Sequence, residues 1–293
     1  MSIVVGVAAD TRSQSGLELA AEIARTTGEE IVLTCVVQDS WESLHDFAGV
    51  DDEWRRSVTA EADDALAAAQ RLIDADVSST VAQRADRSVP RALAAEAAER
   101  GARLLVVGSS GNGPLGHIAL GSTSDHLVHS AGLPVAVAPR GYRAHGRTIG
   151  RVVMAVDPTR ADVALTSQVA GLAGWLGCPV DVVTFAVRSA TRTAFTVFAD
   201  QGVQDAWLAS VNDHHEQITA QVRELAPGVA VTATPAATGE RWSQALEAYP
   251  WNPGDVLVVG SSEHGPLARV FLGSTAARIL RYAPVPVVLL PRR

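Results

Sequence analysis

The chain is written twice. Residues 108–123 read GSSGNGPLGHIALGST, and residues 260–275 read GSSEHGPLARVFLGST. LLVVGSS (104–110) is answered by VLVVGSS (256–262), LPVAVAPR (133–140) by VPVVLLPR (285–292), and SIVVGVAAD (2–10) by RVVMAVDPT (151–159). EEIVLTCVV (29–37) meets a looser counterpart in CPVDVVTFAV (178–187). A repeat at an offset near 150 in a chain of 293 residues demands a fold that half the chain can complete, with a core of its own. The halves are residues 1–140 and 151–293. Between them GYRAHGRTIG (141–150) is polar, contains glycine and lacks hydrophobic periodicity, and it reads as a linker.

Within each half the apolar runs are short, rich in valine and continuous rather than alternating, as buried parallel strands require. They fall near 2–8, 31–37, 77–83, 103–108 and 134–138, and again near 151–156, 180–187, 229–235, 255–260 and 286–290. Amphipathic, alanine-rich stretches such as GLELAAEIARTTG (16–28) and PRALAAEAAERG (90–101) lie between them and end in glycine. Strand–helix alternation with short connections predicts an α/β chain of two tandem doubly wound domains.

The 24 basic residues are all arginine, because the chain contains no lysine. A lysine-dependent phosphate clamp or Schiff base is therefore excluded. A net charge of −8 argues against phosphate-backbone binding, so no nucleic-acid partner is expected. Cys35 and Cys178, one in each half, sit in or beside apolar runs and read as buried reduced thiols. The opening MSIVVGVAAD has no signal-peptide character, and no apolar stretch approaches the roughly 20 residues that span a bilayer. These features predict a soluble cytoplasmic protein without a membrane partner.

In open parallel sheets, ligands sit at the carboxyl ends of the strands where strand order reverses. The stretch 108–123 begins as the fourth strand ends. Gly108 and Gly111 let the backbone turn and come close to a ligand. Gly121-Ser122-Thr123 then opens a helix whose first amides lack intrahelical partners. Free amides, a helix dipole and two hydroxyls favour an anion, most naturally phosphate. Glycine and serine also merely shape loops, but here the same arrangement occurs twice at the same structural address. No GxxxxGK[ST] occurs, and the first strands run into GVAADTRS and AVDPTRAD rather than GxGxxG, so the P-loop and dinucleotide-dehydrogenase readings fall.

Gly108-x2-Gly111-x9-Gly121-Ser122 resembles the nucleotide-binding signature of the universal stress protein family, G-2x-G-9x-G-[S/T]. The flanking VVGSS, LGST and LPVAVAPR are similar to that family's text in both halves. The resemblance implies a stress-response protein whose domains are each a five-stranded parallel sheet, order 3-2-1-4-5, flanked by helices. It also implies an ATP or AMP site at the strand ends, with Mg2+ as an optional companion, and pairing of the two domains as an intramolecular pseudo-dimer. In that family an Asp ending the first strand holds the adenosine part. Asp157 takes that place in the second half, whereas the first half has Ala8, with Asp10 two residues later. Backbone near the end of the second strand reads the adenine edge, which points to Val36 and Ala186. Phosphate contacts carry over to Gly108, Gly111, Gly121, Ser122 and Thr123, and to Gly260, Gly273, Ser274 and Thr275. Glu263 replaces the middle glycine of the second copy.

Each half thus departs from the pattern once. Losing a carboxylate-to-ribose hydrogen bond costs ~1.5–3 kcal/mol. A carboxylate about 4 Å from a phosphate charge costs up to ~4 kcal/mol per charge pair at an effective dielectric near 20. The first half is therefore the better expected nucleotide site. No nucleophile–base pair emerges, so the leading expectation is a regulatory module whose conformation or association follows occupancy. The alternatives are an interaction scaffold with decayed sites and a weak Mg-dependent ATPase. His214-His215-Glu216 reads as a solvated helix face rather than a metal site, and His126 and His129 as packing or exposed residues. Asp51, Asp52, Glu53, Glu61, Asp63 and Asp64 read as decoration of an exposed helix, and the six tryptophans as core or interface anchors. The apolar fifth strands are expected at sheet edges, where pairing within the chain or homodimerisation would cover them.

Overall fold

A computed structural model describes residues 1–8, 14–37, 48–160, 162–187, 201–260 and 272–291. The chain forms two compact units, Met1–Arg147 and Thr148–Arg293. The first contains β1 (Ser2–Val7), α1 (Ser15–Thr27), β2 (Glu30–Val37), α2 (Ala48–Leu72), β3 (Ser79–Ala85), α3 (Val89–Glu99), β4 (Leu104–Gly108), α4 (Ser122–Ser130) and β5 (Val135–Ala138). Its strands lie in the order β3-β2-β1-β4-β5 and pair in parallel throughout.

The order follows from the residues. Ile3, Val4 and Val5 are consecutive and each 0% exposed, which only a strand covered on both faces allows. Each such aliphatic side chain contributes about 1.5–3 kcal/mol by burial. The helices supply the cover. Leu19, Ala20, Ile23 and Ala24 of α1 are buried, and the helix stops where Gly28 takes φ 71°. It packs on β1, β4 and β5, while α2 lies on β2 and β3 and α3 on β1, β2 and β4. In α2, Ala62, Ala65, Leu66 and Ala69 face the sheet, leaving Glu61, Asp63 and Asp64 exposed as expected. Strand order reverses between β1 and β4.

The second unit repeats the plan with β6 (Arg151–Ala155), α5 (Val163–Leu176), β7 (Val180–Val183), β8 (Phe185–Val187), α6 (Gln201–Leu225), β9 (Val231–Ala233), β10 (Ala237–Gly239), α7 (Trp242–Glu247), β11 (Asp255–Gly260), α8 (Ser274–Tyr282) and β12 (Val287–Leu290). The order β9-β7-β6-β11-β12 is the first unit's order read from its third strand to its fifth. Asp162 caps α5 by accepting from the Leu165 amide at 3.0 Å, and Gly177 ends it at φ 64°.

The single strand expected over 180–187 is instead two. Thr234 N donates to Val182 O, but the next bond runs from Ala237 N to Thr184 O. Three residues on one strand therefore answer two on its neighbour. Pro235 has no N–H to give, and the extra residue forms a bulge. Beyond it β8 and β10 make their own two-stranded parallel sheet.

The solvated face expected at His214–Glu216 holds for Glu216 but not for His215, which is 2% exposed. Val211, His215, Ile218 and Val222 form the buried stripe of α6, and the imidazole Nε2 lies 2.9 Å from Thr184 Oγ1. Burial and the neighbouring His214 push the His215 pKa down. No cluster of metal-ligating side chains occurs among the described residues. Cys35 and Cys178 are free and buried, and burial pushes the Cys178 thiol up to about 11. Among the described residues, no helix is long and apolar enough to cross a membrane.

Candidate functional site

A cleft of about 920 Å³ opens over the carboxyl ends of β1, β2 and β4 in the first unit, at the point where strand order reverses. Ala8, Val36, Gly108, Gly111, Gly121 and Thr123 all line it, and Ser122 is the first residue of α4 at its edge. Asp10 lies outside the described residues. The two ends differ in chemistry. Val36, Ala65, Ala69, Leu72 and Leu93 make an apolar end, while Ser109–Asn112, Thr123, Ser124 and two arginines make a polar one. β2 and β4 flank β1, so the ends are about 10 Å apart.

The loop 109–121 is built on itself. Buried Ser109 accepts from the Ala119 amide at 2.8 Å and donates to the Ala119 carbonyl at 3.1 Å. Ser110 N also donates to Ala119 O, and Ser124 Oγ donates to Gly108 O at 3.3 Å. Its glycines have distinct reasons. A Cβ on Gly113 would lie 2.5 Å from Ala119 Cβ, so packing forbids one. A Cβ on Gly111 would meet nothing within 4 Å, and one on Gly121 would make ordinary contact with Ser110 at 3.7 Å. Neither has a positive φ. Fold and backbone conformation therefore do not require glycine at 111 or 121, yet both present bare backbone to the cleft. Gly121 as N-cap also has no side chain to satisfy the first amides of α4.

The charges of the cleft were not legible from the motif. Among the described lining residues no side chain is acidic, and the charged ones are Arg140 and Arg143, in a chain of net charge −8. The available signal was LPVAVAPR followed by GYR, two arginines just past a strand end. Arg140 is fixed by its surroundings, and the backbone on either side of Arg143 is held on α1. Arg140 N donates to His117 O, Gly116 N donates to Arg140 O, and the Arg140 guanidinium donates to Gly113 O. The segment 141–147 then runs along one face of α1. Ser15 Oγ accepts from Gly141 N at 3.0 Å, Glu18 Oε2 accepts from Ala144 N at 3.1 Å, Tyr142 OH donates to Glu22, and Arg25 donates to Arg147 O at 3.1 Å. Residues 15, 18, 22 and 25 recur at the three- and four-residue spacing of a helix face. Burial of Glu22 raises its pKa, against the lowering effects of Tyr142, Arg147 and Arg25.

In the second unit the corresponding residues are arranged differently. Asp157 follows β6 and is exposed, its Oδ1 accepting from Thr159 N at 2.9 Å and Thr159 Oγ1 at 2.6 Å. Gly260 ends β11, and Gly273, Ser274 and Thr275 open α8 with no side-chain cap. Glu263 lies outside the described residues. Strand registers place Ile3 beside Ile31 and Val152 beside Val180, which makes Phe185 the counterpart of Val36. Ala186 is one residue further on, paired with Thr238. Leu165 stands where the first unit has Gly16, and its Cδ2 is 3.1 Å from the place a Cβ on Gly260 would occupy.

Comparison with known proteins gives a consistent result. The universal stress protein family model matches residues 1–139 and again 148–291. A universal stress protein of Mycobacterium tuberculosis (strain ATCC 25618 / H37Rv) is 34% identical over 297 residues, covering 99% of this chain and 100% of the relative. The crystal structure of a universal stress protein from Archaeoglobus fulgidus superposes with a TM-score of 0.64 at 19% identity, covering 100% of this chain and 98% of the other. A universal stress protein structure from Pseudomonas aeruginosa gives 0.59 at 20% identity, with 99% and 92% covered.

Proposed function

The chain belongs to the universal stress protein family, and from that premise we propose that it is a regulatory protein binding an adenine nucleotide, ATP or AMP, mainly through the cleft of its first unit. The observation that carries this reading is the pair Gly111 and Gly121. Neither glycine is demanded by φ or packing, and both bare their backbone at one end of a cleft whose other end is apolar. An amphipathic anion suits those two ends.

In this reading the backbone of Gly108 and Gly111, the first amides of α4 at Ser122 and Thr123, and the Thr123 hydroxyl would hold phosphate. Val36 would face the base, with Ala8 beside the sugar. Among the described lining residues no carboxylate or imidazole is positioned to activate water. That favours occupancy read out as conformation or association over turnover. Leu165 against Gly260 supports the preference for the first unit, because it sets a leucine side chain over a strand end that in the first unit meets only the backbone of Gly16.

Thermal unfolding of the full chain with ATP, AMP or buffer tests the reading. A ligand at 100 times its Kd stabilises by about 2.7 kcal/mol. Calorimetric titration should then count one nucleotide per chain. Equal midpoints under all three conditions would favour the interaction scaffold instead, and two equal sites would remove the asymmetry.

A further inference from the structure

We propose that Arg140 and Arg143 are the phosphate-reading cations of the cleft, so that its affinity rises with the number of phosphate charges on the ligand. The proposal rests on the nucleotide reading above, which the glycines carry, but its own support is separate. The charged side chains among the described lining residues are these two, both positive, in an acidic chain. They arrive together on one segment, and Arg140 joins it to the 109–121 loop through Gly113 O.

A cation reads an anion well when it is held before the anion arrives. Arg140 meets that condition through its backbone bonds to Gly116 and His117 and its guanidinium bond to Gly113 O. A guanidinium has five N–H donors, so one held on a carbonyl leaves a fork to present. The backbone that carries Arg143 is held from the other side. Gly141, at φ 77°, turns the chain in a left-handed conformation that few other residues adopt, and Gly141 N is bonded to Ser15. The Glu18 carboxylate fixes the next residue through Ala144 N. Arg143 Nη1 lies 3.5 Å from Glu18 Oε1 with half its side chain exposed, a loose pairing that a phosphate would outcompete. The segment that follows β5 is thus an arm of the site.

The test is equilibrium binding of ATP, AMP and adenosine to the full chain and to Arg143→Gln, Arg140→Gln and the double variant. Circular dichroism and unfolding midpoints report on the fold of each. Wild type should rank ATP above AMP above adenosine. Arg143→Gln should weaken ATP about threefold to tenfold, and the double variant at least about thirtyfold, while adenosine changes less than about twofold. Arg140→Lys, which keeps the charge and loses the fork, should recover part of the loss. Equal weakening of ATP and adenosine would mean that the arginines only shape the loop and would overturn the proposal. ATP affinity unchanged in the double variant would overturn it as well. If wild type takes neither ATP nor adenosine, the adenine reading fails, and pyrophosphate decides for the arginines. Binding by wild type and loss in the double variant supports them, and any other pattern overturns them.

Discussion

Gly16, in the first turn of α1, approaches Gly108 at the end of β4 so closely that a Cβ on Gly16 would lie 3.0 Å from the Gly108 amide nitrogen and 3.2 Å from the Val107 carbonyl carbon. The contact sets helix against strand at the floor of the cleft. In the second unit, Leu165 and Gly260 hold the corresponding positions, and the leucine side chain lies over the strand end. One repeat brings helix and strand into backbone contact where the other interposes a leucine side chain, with opposite consequences for mutation.

Gly16→Val should therefore force α1 away from β4. Overpacking of this kind costs about 1–3 kcal/mol, and the cleft should lose affinity for ATP along with it. Leu165→Ala acts in the reverse sense, leaving a void at a position 6% exposed and costing about 2–5 kcal/mol. Urea unfolding of both variants measures the two effects. A wild-type midpoint for Gly16→Val would show that the helix has room to move.

The stripe of α1 that holds residues 141–147 has a plain counterpart on α5. Aligned through Gly28 and Gly177, the residues Ser15, Glu18, Glu22 and Arg25 become Ala164, Ser167, Gly171 and Gly174, all exposed. Nothing lies within 4 Å of a Cβ at Gly171 or Gly174. Glycine inside a helix costs roughly 0.5–1 kcal/mol relative to alanine. Gly171→Ala and Gly174→Ala should each raise stability by about that amount, and no gain in melting temperature for either would indicate that something covers this face.

Much of this was legible in the sequence because it depends on local pattern. Valine runs buried on both faces, glycine after α1 and α5, and a doubled motif at a strand end each carry their structure in neighbouring residues. What escaped depends on register between strands. Pro235 ends a run visibly, but that it splits 180–187 into two strands follows from one extra residue on the facing segment. Glu18, Glu22 and Arg25 look like a solvent face by residue type, and a polar segment more than 110 residues away covers them. His215 escapes a reading by residue type for a related reason. The run His214-His215-Glu216 is polar throughout, whereas the spacing of Val211, His215, Ile218 and Val222 puts His215 in the core.

The burial of His215 has a pH signature. Its folded-state pKa is depressed below 6.5 by desolvation, so the folded protein resists a proton that the unfolded chain accepts. The contribution is fully present above pH 6.5 and is lost as pH falls through the folded value. His215→Asn cannot titrate and should lack this loss, although it is less stable at neutral pH. Glu22, raised by burial, works in the opposite direction from 4.5 upward, so the informative quantity is wild type minus variant. Denaturant midpoints between pH 7.5 and 5 should show that difference shrinking with acid, and a constant difference would contradict the burial argument.

Gly111 and Gly113 sit two residues apart in one loop and should fail in different ways. A methyl on Gly113 collides with Ala119 Cβ at 2.5 Å, which the turn closed by Gly113 N to Ser110 O gives no room to relax. Gly113→Ala should cost about 1–3 kcal/mol and weaken binding only as far as the loop is deformed. A methyl on Gly111 touches nothing in the protein, so Gly111→Ala should stay within about 0.5 kcal/mol of wild-type stability. Its cost falls on the ligand. With Cβ placed where backbone faces the cleft, ATP affinity should drop about tenfold, or about 1.4 kcal/mol. Unfolding and binding measured on the same two proteins separate these roles. If Gly111→Ala keeps wild-type affinity, the bare backbone at 111 is not what meets the phosphates, and the anchoring passes to Gly121 and the first turn of α4.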